Sequence, residues 1–176
     1  MAPRIVILDI ETSSLEADAG IVVGTGLLPE TGKSEYLEAK RTDQEKGLLV
    51  KLLERLEAYD VIVTWSGRGF DTPFLTTRLL KHGLNPLPLV AKTHLDLNVV
   101  RSRLRLTFTY LDHVCDFFGI KRDKGPMGLE VPQLFVKALE GDETSLRSIR
   151  DHCLDDLRVT REVFLKLKPL LENQLS

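Results

Sequence analysis

The first dozen residues follow a strand rhythm. Ile5, Val6, Ile7 and Leu8 run without a polar break, and Ile10 follows Asp9, the pattern of a strand buried on both faces. After a polar turn, Ile21–Leu28 reads as a second strand with glycines in it, and Ser34–Ala39 as a third. Both are short and closely spaced, which predicts an antiparallel meander. Thr42 opens a helix: its hydroxyl can cap, and Glu45 lies at capping-box spacing. Leu48, Leu49, Leu52, Leu53 and Leu56 then recur at helical intervals. Val61–Trp65 is the next strand, followed by a helix from near Pro73 to near Gly83. Thr93–Leu97 is a short strand, and helices follow at Tyr110–Phe118, Val131–Leu139 and Glu143–Lys168. The order predicts an α/β fold with a mixed central sheet, an antiparallel meander plus parallel strands, flanked by helices.

Three acidic stretches interrupt this pattern. Residues i and i+2 of a strand share a face, so Asp9 and Glu11 at the end of the first strand aim at one point. Like charges that close raise each other's pKa unless a cation sits between them. The second stretch is "VIVTWSGRGFDTPFL", a strand, a glycine-bearing turn and then Asp71, which is either a helix N-cap or a pocket acid. The third is "IRDHCLDDLRVT" on the last helix. Leu146, Ile149, Cys153, Leu157, Thr160, Phe164 and Leu167 define its buried stripe. At about 100° per residue, Asp156 falls roughly 60° from the centre of that stripe and Asp155 roughly 160° away, on the solvent side. His152, four residues before Asp156, shares its face. Carboxylates that converge without basic partners are costly unless they bind cations. Oxygen ligands of this kind suit Mg²⁺ or Mn²⁺, and two such ions can drive phosphodiester hydrolysis.

Composition narrows the class. A chain of 176 residues, 43% hydrophobic and 28% charged, is expected to form one domain over 1–176 with a real core. It has no apolar run of bilayer length and no apolar N-terminal segment of signal-peptide length. Cys115 and Cys153 make neither a disulfide framework nor a zinc pattern, so a reduced, cytoplasmic setting is expected, with no membrane partner. The net charge of −2 does not decide the matter of nucleic acid. Arg101, Arg103 and Arg105, then Lys121, Arg122 and Lys124, form a basic segment that is either a solvated face or a phosphate track. Trp65, Phe70 and Phe74 are either core residues or platforms for bases.

"ILDIET", "WSGRGFDTPFL" and "HCLDDLRVT", in that order, resemble the three motifs of the DEDD (DnaQ-like) 3′–5′ exonucleases, whose fold is ribonuclease H-like. The chain is most similar to the family B polymerase proofreading domains and to the stand-alone ribonuclease H-like predicted exonucleases, the latter also through "HLDL", "FFGIKR" and "LEGD". The resemblance implies that Asp9, Glu11, Asp71 and Asp156 hold two ions, Mg²⁺ or Mn²⁺, and that the substrate is single-stranded DNA or RNA with a 3′ end. It places His152 where one subgroup keeps a tyrosine; the histidine of the other subgroup falls at Asp151 here. On chemical grounds His152 can serve as the base. Thr12, Trp65, Ser66 and Phe70 are the candidate substrate contacts near the motifs, with Ser66 where proofreading domains usually keep asparagine. Arg101, Arg103, Arg105, Lys121 and Arg122 are the phosphate candidates, and Asp96 is either structural or a support for the site. The alternatives are a ribonuclease H-type endonuclease and a catalytically silent nucleic-acid-binding module of the same fold.

Overall fold

The structure, a computed structural model, describes residues 2–101, 104–108, 110–123, 125 and 128–171, with residues 100 and 101 by backbone only. Its centre is a five-stranded sheet of order β3-β2-β1-β4-β5, built from β1 (Ile5–Thr12), β2 (Val22–Pro29), β3 (Glu35–Glu38), β4 (Val61–Thr64) and β5 (Thr93–Asp96). β2 runs antiparallel to both β1 and β3, whereas β4 runs parallel to β1 and β5. The expected meander plus parallel strands is therefore the observed sheet.

Each face of the sheet is covered. Val6, Leu8 and Ile10 pack with Leu49, Leu52 and Leu56 of α1 (Glu45–Leu56) and with Leu75 and Leu79 of α2 (Asp71–Lys81). Ile5 and Ile7 on the other face pack with α5 (Leu111–Phe118) and with α7 (Glu143–Leu167), through Leu157, Val163 and Phe164. α6 (Val131–Leu139) lies on α7, joined by Val23, Phe135 and Ile149. Two short helices, α3 (Leu87–Val90) and α4 (Leu97–Arg101), have no counterpart among the sequence-based expectations. Neither is long enough for periodicity to be seen.

Two features of β2 bear on what lies beside it. Gly26 is the register partner of Asp9 and Gly24 that of Glu11. A Cβ at Gly26 would lie 2.4 Å from Leu157 Cδ1 and 2.8 Å from Cys153 Sγ, so α7 sits this close because the side chain is missing. The register shifts between Glu11 and Thr12, leaving Val23 without a partner on β1 and turning it toward α6 and α7.

The capping-box expectation at Thr42 fails. Thr42–Gln44 forms a short 3₁₀ turn, and α1 starts at Glu45 without a side-chain cap. Glu45 is buried and its carboxylate is taken by Arg78 at 2.6 Å, by His82 at 2.7 Å and by the Val22 N–H at 2.8 Å. A long-range ion pair has outcompeted a local cap. A cap does form at α7, where Asp142 accepts from the Thr144 N–H at 2.9 Å and the Ser145 hydroxyl at 2.7 Å.

Candidate metal centre

The face of β1 that carries Ile5 and Ile7 into the core continues to Asp9 and Glu11, as the alternation of a strand requires. Glu11 is only 4% exposed, and Asp9 is half-buried. Ligand atoms of Asp9, Glu11 and Cys153 all lie within 4.8 Å of one another. Among the described residues, the group within that distance therefore pairs the two β1 acids with the Cys153 thiol rather than with Asp71 and Asp156. Burial holds that thiol well above its ordinary pKa, so it stays protonated.

Asp71 and Asp156 complete the cluster by charge. Asp71 is the first residue of α2, not its N-cap, which is Phe70. It is buried, and burial pushes its carboxyl up to about 7, against the pull of its own N–H and that of Ile10, with Asp96 and Asp156 raising it further. Asp9 is held well above the usual range by burial first, then by Asp156 and Asp71. Glu11 is raised in the same way, by burial and then by Asp9, Asp156 and Asp71. Among the described residues no lysine or arginine is ion-paired with Asp9, Glu11 or Asp71. A largely buried group of oxygen donors in which Asp9, Glu11 and Asp71 have no ion-paired lysine or arginine among the described residues fits one or more divalent ions, and oxygen donors suit Mg²⁺ or Mn²⁺.

Asp156 differs. Burial raises its pKa while His152 and Arg122 lower it. The Arg122 guanidinium bonds to Asp156, to Asp112 and, from Nε, to Asp155 at 3.3 Å. The side chain expected on a phosphate track is thus engaged with three carboxylates.

The placement of Asp155 on the solvent side is also overturned. Asp155 is 7% exposed and is held by Arg158 at 2.5 Å, by Arg122 and by the Asp123 N–H at 3.3 Å. α7 buries more than one stripe. Asp155, Val159 and Val163, four residues apart, share a second face, and the two valines pack with Val114 and Cys115 of α5.

The other candidates divide. His152 Nε2 stands 3.9 Å from both Glu11 Oε1 and Asp156 Oδ2, between the two acids. Trp65 and Ser66 line a cavity of about 430 Å³ together with Asp9, Asp156, Asn98 and Tyr110. Ser66 has φ +61°, a left-handed conformation, and is clamped there: its N–H donates to Asp96 at 2.9 Å and its hydroxyl accepts from Asn98 at 2.7 Å. Asp96 also takes the N–H groups of Arg68 and Asn98, so it supports the turn as expected of a strand-end acid. Thr12 is buried and its hydroxyl donates to the Ser14 carbonyl at 2.7 Å. Phe70 packs on Phe74, ring centres 5.6 Å apart, against the core under α1 and α2. Arg105 and Lys121 are exposed and line none of the site cavities. Arg103, Lys124 and the Arg101 side chain lie outside the described residues.

Sequence reasoning passed over Tyr36, Asn98 and Asp112. The Tyr36 hydroxyl is buried, has no hydrogen-bond partner among the described residues, and lies over Gly24, the residue opposite Glu11. Burial and the nearby Cys153 and Glu11 push its pKa far up, so it is a neutral hydroxyl facing the acids. The signal for it was the glycine pair opposite Asp-x-Glu, which leaves room for a large neighbour.

A mixed sheet of this order, with acids delivered by its central strand and by the helices α2 and α7, is the ribonuclease H-like arrangement. The sequence profile of the RNase_H superfamily matches residues 6–168, and the chain belongs to that superfamily. It is 32% identical over 147 residues to a DNA polymerase of Methanocaldococcus jannaschii, a match that covers 72% of this chain and 8% of that polymerase. Its fold superposes on the family B DNA polymerase from the hyperthermophilic archaeon Pyrobaculum calidifontis with a TM-score of 0.83 and 23% identity, over 99% of this chain and 26% of that one. The chain thus spans a small part of these relatives. The expected fold and superfamily are both observed. No helix of the described residues is long and apolar enough to cross a membrane.

Proposed function

We propose that this chain is a nuclease, and more closely a 3′–5′ exonuclease that hydrolyses phosphodiester bonds of single-stranded DNA or RNA, working as one domain in the cytoplasm. The observation that carries this reading is the set of acids from three distant stretches: burial and then neighbouring acids, Asp156 among them, raise the pKa of Asp9, Glu11 and Asp71, and among the described residues none of those three is ion-paired to a lysine or arginine. These residues would hold two ions, Mg²⁺ or Mn²⁺, which when bound activate water and stabilise the leaving oxygen. His152, between Glu11 and Asp156, is placed to take the proton of the attacking water. Trp65 offers a face for a base, and the clamped Ser66 and Asn98 offer polar groups beside it. The cavity they line, about 430 Å³, suits one terminal nucleotide better than a duplex.

The test compares end-labelled single-stranded DNA and RNA, duplex and RNA–DNA hybrid, with Mg²⁺ or Mn²⁺ and with EDTA. Stepwise release of mononucleotides from the 3′ end is expected, and it should vanish in EDTA and in Asp9→Asn. Internal cuts in the hybrid would favour an endonuclease instead. Binding of oligonucleotide without any cleavage would favour a silent module. His152→Ala should slow turnover and change its pH profile while Mn²⁺ still binds.

A further inference from the structure

Asp156 is the one member of the acidic set that, among the described residues, is ion-paired to an arginine. We propose that Arg122 is a positioning residue that holds Asp156 and competes with a divalent ion for it, so that this one side chain sets how tightly the acidic centre binds metal. This deepens the metal-site reading above and rests on it.

The geometry favours exchange over a fixed pair. Arg122 follows α5 and spans two elements, with Asp112 of α5 on one side and Asp155 and Asp156 of α7 on the other. A guanidinium with a single buried partner would be stranded if that partner left. Arg122 would not be, because Asp112 and Asp155 still hold it. Its planar fork of five donors is what makes three carboxylates reachable at once. Exposure agrees: the Arg122 and Asp156 side chains are each 22% exposed, so both stand at the mouth of the centre. The bond to Arg122 is made by Asp156 Oδ1, while Oδ2 faces His152. A divalent ion that draws on Asp156 therefore meets a positive charge already on the same carboxylate. Like charges that share one carboxylate repel strongly enough, even with salt and the remaining acids screening them, for loss of one to change affinity about tenfold.

The experiment titrates Mn²⁺ into the metal-free protein, following free ion by electron paramagnetic resonance, without nucleic acid. Arg122→Gln should bind Mn²⁺ about tenfold more tightly than the wild type. Arg122→Lys, a point charge that cannot span three carboxylates, should fall between the two. Arg158→Gln removes a charge that holds Asp155 but not Asp156, and should stay within about twofold of wild type. Equal or weaker affinity in Arg122→Gln overturns the proposal, as does an equal gain in Arg158→Gln, which would mean long-range charge rather than contact. Thermal unfolding reports whether each variant is folded. If Arg122→Gln is not, Arg122→Lys decides alone, and no tightening there counts against the proposal. Asp156→Asn separates the two levels. If it binds Mn²⁺ like the wild type, the metal-site reading falls and the role of Arg122 with it. If it weakens binding while Arg122→Gln fails to tighten it, only the role of Arg122 falls.

Discussion

Two groups of buried charge sit on opposite faces of one sheet and are built on opposite rules. On the α1–α2 face, Glu45 meets Arg78, His82 and the Val22 N–H, while Arg78 donates also to the Ala17 carbonyl at 2.8 Å. Burial works against the Glu45 charge, but these partners overcome it and hold its pKa below the usual range. On the α7 face, the buried Glu11 and the half-buried Asp9 stand with other acids and are pushed well above the usual range. The chain therefore contains its own standard for a structural carboxylate: paired, hydrogen-bonded and ionised. The β1 acids depart from that standard: among the described residues neither is ion-paired to a lysine or arginine, and both are pushed toward the neutral form, which supports the proposal that they serve a ligand.

The sharpest break of this contrast is Arg78→Met. It should leave Glu45 buried without its main partner and cost about 3–5 kcal/mol, read as a lower urea midpoint. A loss below about 1 kcal/mol would mean that the pair is not structural, since that is what an exposed pair contributes.

Asp71→Asn should act with the opposite sign. The folded-state pKa of Asp71, about 7, lies above its ordinary 3.8, so the proton is bound more tightly in the folded state. The metal-free protein should accordingly lose stability from this group as pH rises from about 4 to about 7, and no further above that. In EDTA at pH 8, Asp71→Asn should be more stable than wild type by up to roughly 4 kcal/mol, the gap closing toward pH 4. The same substitution should abolish cleavage. A variant less stable than wild type at pH 8 would show that Asp71 belongs with Glu45.

Gly26→Ala is the smallest of the three. Its new methyl must displace Leu157 and Cys153, which should cost about 1–3 kcal/mol and lower the thermal midpoint. Cleavage should fall as well, because Cys153 and Asp156 move with the same helix.

Much of this was legible from local pattern. The strand boundaries fall within a residue or two of their expected places, because apolar runs end at polar turns. Asp9 and Glu11 share a face because a strand alternates, and His152 neighbours Asp156 because a helix returns every four residues. What escaped depends on contacts between distant segments. A single buried stripe on α7 places Asp155 toward solvent, whereas α5 and the segment after it cover a second. Glu45 has the spacing of a capping residue, and nothing nearby in sequence betrays Arg78, 33 residues on. Arg122 reads as a free cation until α7 is seen to place Asp155 and Asp156 against it.

The acids that meet at the mouth of the sheet come from positions 9, 11, 71 and 156. During synthesis from the N-terminus, the first three emerge long before α7. A nascent chain that has released only the sheet strands and α2 would thus carry most of the ingredients and no finished centre. Any ligand that needs all four acids must wait until α7 has left the tunnel and docked.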